Sequence, residues 1–192
     1  VISRFFDPAD FGIFGSFSSV LAIVGACITL QYSQAVMLPK EVTEAANLFA
    51  VSMISVFLMT LFAILAVCLF PAMFLSLVKA PNSFWLLWLF PIDVFFLGTN
   101  QSLQAWCIRR KAFRTTSLTQ VIRSFSLSLS QIILGFFKTG GPGLISGSVL
   151  GNAMAGLNLA HRMHVQADWQ TFRKCVTLKK IKTLALEYRD FP

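Results

Sequence analysis

Asp93 is followed at i+7 by Asn100 and at i+11 by Gln104, so a helical repeat sets a carboxylate and two amides on one face. Farther on, QVIRSFSLSLSQ (residues 120–131) carries Arg123 among Gln120, Ser124, Ser128 and Gln131. These groups seek water or polar partners, and both sets stand inside long apolar stretches. They point to a hydrated cavity or to hydrogen bonds between helices. Asp93 either faces a lumen or sits protonated in a helix-to-helix hydrogen bond. Arg123 either faces the same lumen or snorkels from about two turns inside its span.

Other chemistry is thin. Cys27, Cys68, Cys107 and Cys175 lack ligand spacing, so neither a disulfide nor a metal is expected. His161 and His164 fall at a helix end among basic residues. With no P-loop, paired carboxylates or Ser/His/Asp arrangement, we expect no catalytic residues and no cofactor.

The elements that position these groups follow from composition. Of 192 residues, 56% are hydrophobic, only 12% are charged and 20 are Phe. A soluble domain carries about 25% charged residues. Phe11 to Pro39, Ala45 to Val78 and Thr139 to His161 hold no charge; Ala80 to Ile108 holds only Asp93, and Thr115 to Phe137 only Arg123. A span needs roughly 20 mainly apolar residues. The chain therefore predicts an all-α, polytopic integral membrane helix bundle with about five transmembrane helices over residues 1–165. We label them A (12–37), B (46–70), C (83–106), D (116–137) and E (142–161).

The alternation in RSFSLSLSQ has the period of a strand. Within a bilayer a lone strand would leave its edges unpaired, so the segment is expected to be helical. Wound as a helix, Val121, Phe125, Leu129, Ile132, Ile133 and Phe136 share an apolar sector of roughly 120°. Ser117, Gln120, Ser124, Ser128 and Gln131 form a polar stripe outside it. On helix C, Trp85 and Trp88 near one end and Trp106 near the other suit aromatic belts. Pro91 frees a carbonyl near Asp93. On helix E, Gly143, Gly147, Gly151 and Ala155 repeat every four residues, a small-residue ridge for close packing, with Asn152 and Asn158 as polar contacts.

Basic residues set the orientation. One side holds Lys40, Arg109, Arg110, Lys111, Arg114, Arg162 and six in the tail, twelve in all, against Arg4, Lys79 and Lys138. The twelve-residue side is expected to be cytoplasmic, with the first residue periplasmic and the last cytoplasmic. An outside start at Val1 without a signal peptide suggests a preceding span. The net charge of +8 thus reflects topology and the anionic inner leaflet rather than nucleic acid. Residues 166–192 mix Trp169, Phe172 and Val176 with basic residues, which suits an interfacial segment.

DPADFGIFGSFSSVLAIVG, AVMLPKEVTEAANLFAVS, NSFWLLWLFPIDVFFLGTNQSLQAWCIRRKAF and LGFFKTGGPGLISGSVLG, in that order, resemble the polysaccharide-biosynthesis flippases of the multidrug/oligosaccharidyl-lipid/polysaccharide exporter superfamily. EYRDFP resembles the lead from the first six-helix bundle of that family into the second. The resemblance implies a transporter fragment, the second to sixth spans of a two-bundle protein, with 166–192 as a linker toward a missing second bundle. It implies no enzyme. The substrate would be a polyprenyl-pyrophosphate-linked oligosaccharide, O-antigen type, moved across the bacterial inner membrane. Partners would be bilayer lipids, the second bundle and the polysaccharide polymerase machinery. A sugar–pyrophosphate headgroup needs hydrogen-bonding groups and positive charge, for which Arg123, Asp93, Asn100, Gln104, Gln120, Ser124, Ser128 and Gln131 are the candidate lumen residues. A cation-coupled drug exporter of the same superfamily is the second reading, and a membrane-embedded glycan-modifying transferase the third.

Single-cysteine labelling on a Cys-free background tests the orientation. Position 141 should react with an impermeant thiol reagent from the periplasm, and positions 110 and 180 only after permeabilisation. Periplasmic labelling at 110 would invert the topology.

Overall fold

The structure, a computed structural model, describes residues 6–29, 32–78, 85–137 and 139–165. The helices run α1 (Pro8–Cys27), α2 (Tyr32–Ala35), α3 (Val42–Leu69), α4 (Pro71–Val78), α5 (Leu86–Arg109), α6 (Phe113–Phe136) and α7 (Gly141–Val165). Among the described residues there is no strand, and RSFSLSLSQ lies wholly inside α6. The chain is an all-α membrane helix bundle. By length and composition, α1 and α3 are apolar enough to cross a membrane. At 24, 24 and 25 residues, α5, α6 and α7 are each about 36 Å long, against a hydrocarbon core of about 30 Å. Their polar faces lower their hydropathy. Phe57, Leu58, Leu61, Phe62 and Leu65 stand exposed on α3, an outward apolar surface suited to lipid.

Helix A departs from expectation. It stops at Cys27 and is followed by the short α2 instead of running to 37. The last carbonyls of a helix need partners from outside it. Gln101 of α5 supplies one, donating its side-chain amide to the Gly25 carbonyl at 3.1 Å. Beyond the break, the Thr29 and Ser33 hydroxyls bond to each other at 3.1 Å. Helix B likewise divides at its proline. Phe70 leaves the helical region (φ −127°, ψ 53°), and Pro71 opens α4. The expected loop at 79–83 and the linker at 166–192 lie outside the described residues.

Polar staples close both ends. Asp10 accepts from the backbone N–H of Gly141 at 2.6 Å and of Asp7 at 3.0 Å, joining the starts of α1 and α7. The turn into α7 needs Gly140, whose φ is +65°. At the basic end, Arg109 donates to the carbonyls of Val36, Pro39, Lys40 and Glu41 at 2.5–3.3 Å. It satisfies the open backbone between α2 and α3. Trp106, expected in an aromatic belt, is instead buried against Phe49, ring centroids 5.8 Å apart.

Two apolar cores result. One, around Tyr32, Leu48, Phe49, Trp106 and Leu159, lies at the basic end. The other, around Phe17, Ile28, Val67, Phe90 and Ile145, lies toward the opposite end. Between them α5 crosses α3 closely. The Ser52 and Ser102 hydroxyls bond at 2.7 Å, and a β-carbon on Gly98 would come within 2.8 Å of Val56 and 2.9 Å of Ile28. Gly98→Ala should therefore destabilise the bundle by about 1–3 kcal/mol, seen as a lower melting temperature in detergent. An unchanged melt would show that α5 and α3 do not meet at this spacing.

Candidate functional site

The ridge on α7 brings α6 within backbone reach. A β-carbon on Gly147 would lie 2.6 Å from Cγ of Gln131, and one on Gly151 would lie 3.2 Å from the Arg123 carbonyl and 3.0 Å from Leu127. Gly143 is buried near Leu134, and Ala155 is fully buried lower on the same face. Close approach lets short side chains bridge three helices. Asn152, one residue past Gly151, is the bridge. Its side-chain N–H₂ donates to Asp93 Oδ1 of α5 at 2.6 Å, and its Oδ1 accepts from Arg123 Nε of α6 at 2.8 Å. Its backbone carbonyl accepts from Asn100 Nδ2 at 2.7 Å. Ser148 adds a longer bond to the second Asp93 oxygen, 3.4 Å. A buried carboxylate is tolerable only with such partners.

The structure divides the eight candidate residues. Asp93, Asn100 and Gln131 are buried between helices, and Gln131 donates to the Leu144 carbonyl at 3.2 Å. Gln120, Ser124 and Ser128 are exposed along one face of α6, with Ser117, also exposed, continuing the stripe. Gln104 is half-buried, and Gln120 donates to its side-chain oxygen at 3.2 Å, tying α6 to α5. Arg123 joins the two groups. Its Nε is committed to Asn152, and among the described residues its terminal nitrogens meet no protein acceptor.

The polar stripe splits because contact with α7 follows an i+4 row. Thr119, Arg123, Leu127, Gln131 and Gly135 form it, and such a row drifts about 40° per step around a 3.6-residue helix. Near the basic end the row leaves the serine stripe open; by Gln131 it has reached it. Val121, Phe125, Leu129, Ile133 and Phe136 are exposed on another sector, where the sequence places the lipid face.

A polar cavity of about 340 Å³ adjoins this region. Thr29, Ser33, Gln34, Gln101 and Gln104 line it with hydroxyls and amides. The sequence does not show this cavity, because it is made by the interruption after α1, which Gln101 caps from another helix. Asn152 was seen only as a polar contact on helix E. The legible signal was its place beside Gly151 on the ridge. Among the described residues no cluster of His, Cys, Asp or Glu has the arrangement to hold a metal.

The arrangement holds groups that can hydrogen-bond a polar molecule. It offers donors and acceptors on an open face and one anchored guanidinium. Residues 1–184 match a family model described as polysaccharide biosynthesis protein. No curated protein and no solved structure matches the chain.

Cysteine scanning in the full-length protein reads this face directly. Cysteines at 117, 120, 124 and 128 should react with a water-soluble maleimide, while one at 131 should react on the order of tenfold more slowly, since a buried thiol ionises poorly. Equal rates at 128 and 131 would mean that α6 stands away from α7.

Proposed function

The chain belongs to the polysaccharide biosynthesis protein family, and from that premise we propose that it is part of a transporter that moves a polyprenyl-pyrophosphate-linked oligosaccharide across the bacterial inner membrane. The observation that carries this reading is the exposed row of Ser117, Gln120, Ser124 and Ser128 beside Arg123 on a helix whose other open face is apolar. In lipid, exposed hydroxyls and amides lose hydrogen bonds, so that face belongs to a hydrated path. Sugar hydroxyls exchange readily with such groups. The lipid tail can stay in the bilayer, so the path needs to accommodate only the headgroup.

Arg123 is the residue to which we assign the pyrophosphate. Its Nε bond to Asn152 orients the guanidinium, and the outer fork presents paired N–H groups suited to phosphate oxygens. Asp93 sits behind it, held by Asn152 and Ser148, rather than presented to a passing cation. That placement favours a glycan lipid over an organic cation. The basic end, with Arg109, Arg110, Lys111 and Arg114, is assigned to the cytoplasm. The chemistry is transport without covalent change.

Arg123→Ala in the full-length protein should abolish glycan export at normal expression, and Arg123→Lys should retain part of it, because an ammonium keeps the charge but not the fork. Surface glycan at normal expression of each variant is the measurement. Full export by the Ala variant would remove Arg123 from the path.

A further inference from the structure

A second cavity, about 650 Å³, opens at the basic end between the end of α5 and the starts of α3 and α6. Arg109, Arg110 and Lys111 line one side, and Met37, Val42, Trp106, Ile108 and Phe113 the other. Met37, Val42 and Phe113 are exposed, and Leu38 beside them continues an apolar surface outward. We propose that this cavity holds the headgroup of an anionic bilayer phospholipid, its phosphate against Arg110 and Lys111 and its acyl chains along Met37, Val42 and Phe113.

Charge and composition choose the occupant. The polar side chains lining the cavity are all cationic donors, with no hydroxyl, amide or carboxylate to hydrogen-bond a sugar. The groups suited to sugar line the neighbouring cavity instead. The chain's own tail is a poor fit, since residues 166–192 carry six basic against three acidic residues.

The backbone adds an independent observation. Beyond α5 the N–H of Lys111 bonds to the Ile108 carbonyl at 2.8 Å and that of Ala112 to the Cys107 carbonyl at 2.9 Å. This is a Schellman turn, and its left-handed position is usually Gly. Here it is Lys111, with φ +57°. Glycine would relax the turn, so the strained position carries a side chain whose contribution is its charge at the cavity wall.

The experiment uses the full-length protein in nanodiscs of phosphatidylcholine with or without phosphatidylglycerol, with retained lipid counted by native mass spectrometry. Lys111→Gly should melt no lower than the parent in phosphatidylcholine yet retain phosphatidylglycerol about fivefold less well, and Lys111→Arg should retain it fully. Arg110→Gln should lower retention by a similar factor. Undiminished retention in the Lys111→Gly, Arg110→Gln double variant would overturn the proposal. So would displacement of the lipid by equimolar inorganic phosphate, which would make this a free-anion site. One-for-one displacement by a polyprenyl diphosphate would overturn it in favour of the transported lipid.

Discussion

A carboxylate buried inside an apolar helix bundle must find hydrogen-bond donors there, and much of this fold is arranged to meet that demand. Asp93 has no exposed surface. Its nearest donor is the amide of Asn152, on a helix far along the chain, and that amide is itself oriented by accepting from Arg123. An amide can serve both charges at once because its two ends have opposite polarity. The arrangement fixes the registers of α5, α6 and α7 together. Sliding any one of them by a residue would strand a charge in a low-dielectric interior, at a cost of several kcal/mol.

That register also explains the small residues. Asn152 reaches both neighbours only because Gly147 and Gly151 let the α6 backbone approach α7. In a bilayer no hydrophobic effect drives apolar helices together, so close packing and interhelical hydrogen bonds must supply the association. The ridge and the polar network are therefore one device. The ridge shortens the distance, and the network rewards it.

Much of this was legible in the sequence. Uncharged runs marked the spans, and the impossibility of a lone strand in lipid decided RSFSLSLSQ. The ridge on helix E and the split faces of helix D followed from spacing. What could not be read depends on contacts between distant segments. Nothing local to Gly25–Thr29 announces a helix end, because its partner, Gln101, comes from α5. Gln131 shares a stripe with Ser124 by angle, but a packing row that advances by fours rotates beneath it and buries it. Trp106 has the composition of a belt residue, and only the fold of α3 against α5 makes it core.

Two arginines show why residue type alone underdetermines role. Arg109 and Arg123 carry the same charge and differ in what their surroundings leave unpaired. Beside Arg109 the backbone from Val36 to Glu41 is non-helical, so most of its carbonyls are not spent on a helical ladder. They take up both terminal nitrogens of the guanidinium, which becomes a structural clamp. Arg123 lies on an unbroken helix among unbroken helices, whose backbone carbonyls are already spent on their own ladders. Among the described residues its bond goes to the side-chain oxygen of Asn152, and one acceptor satisfies one donor. Among the described residues the terminal nitrogens of that fork meet no protein acceptor. The regularity of α6 and α7 thus leaves Arg123 a single side-chain partner among the described residues, and the irregularity before α3 makes Arg109 part of the fold.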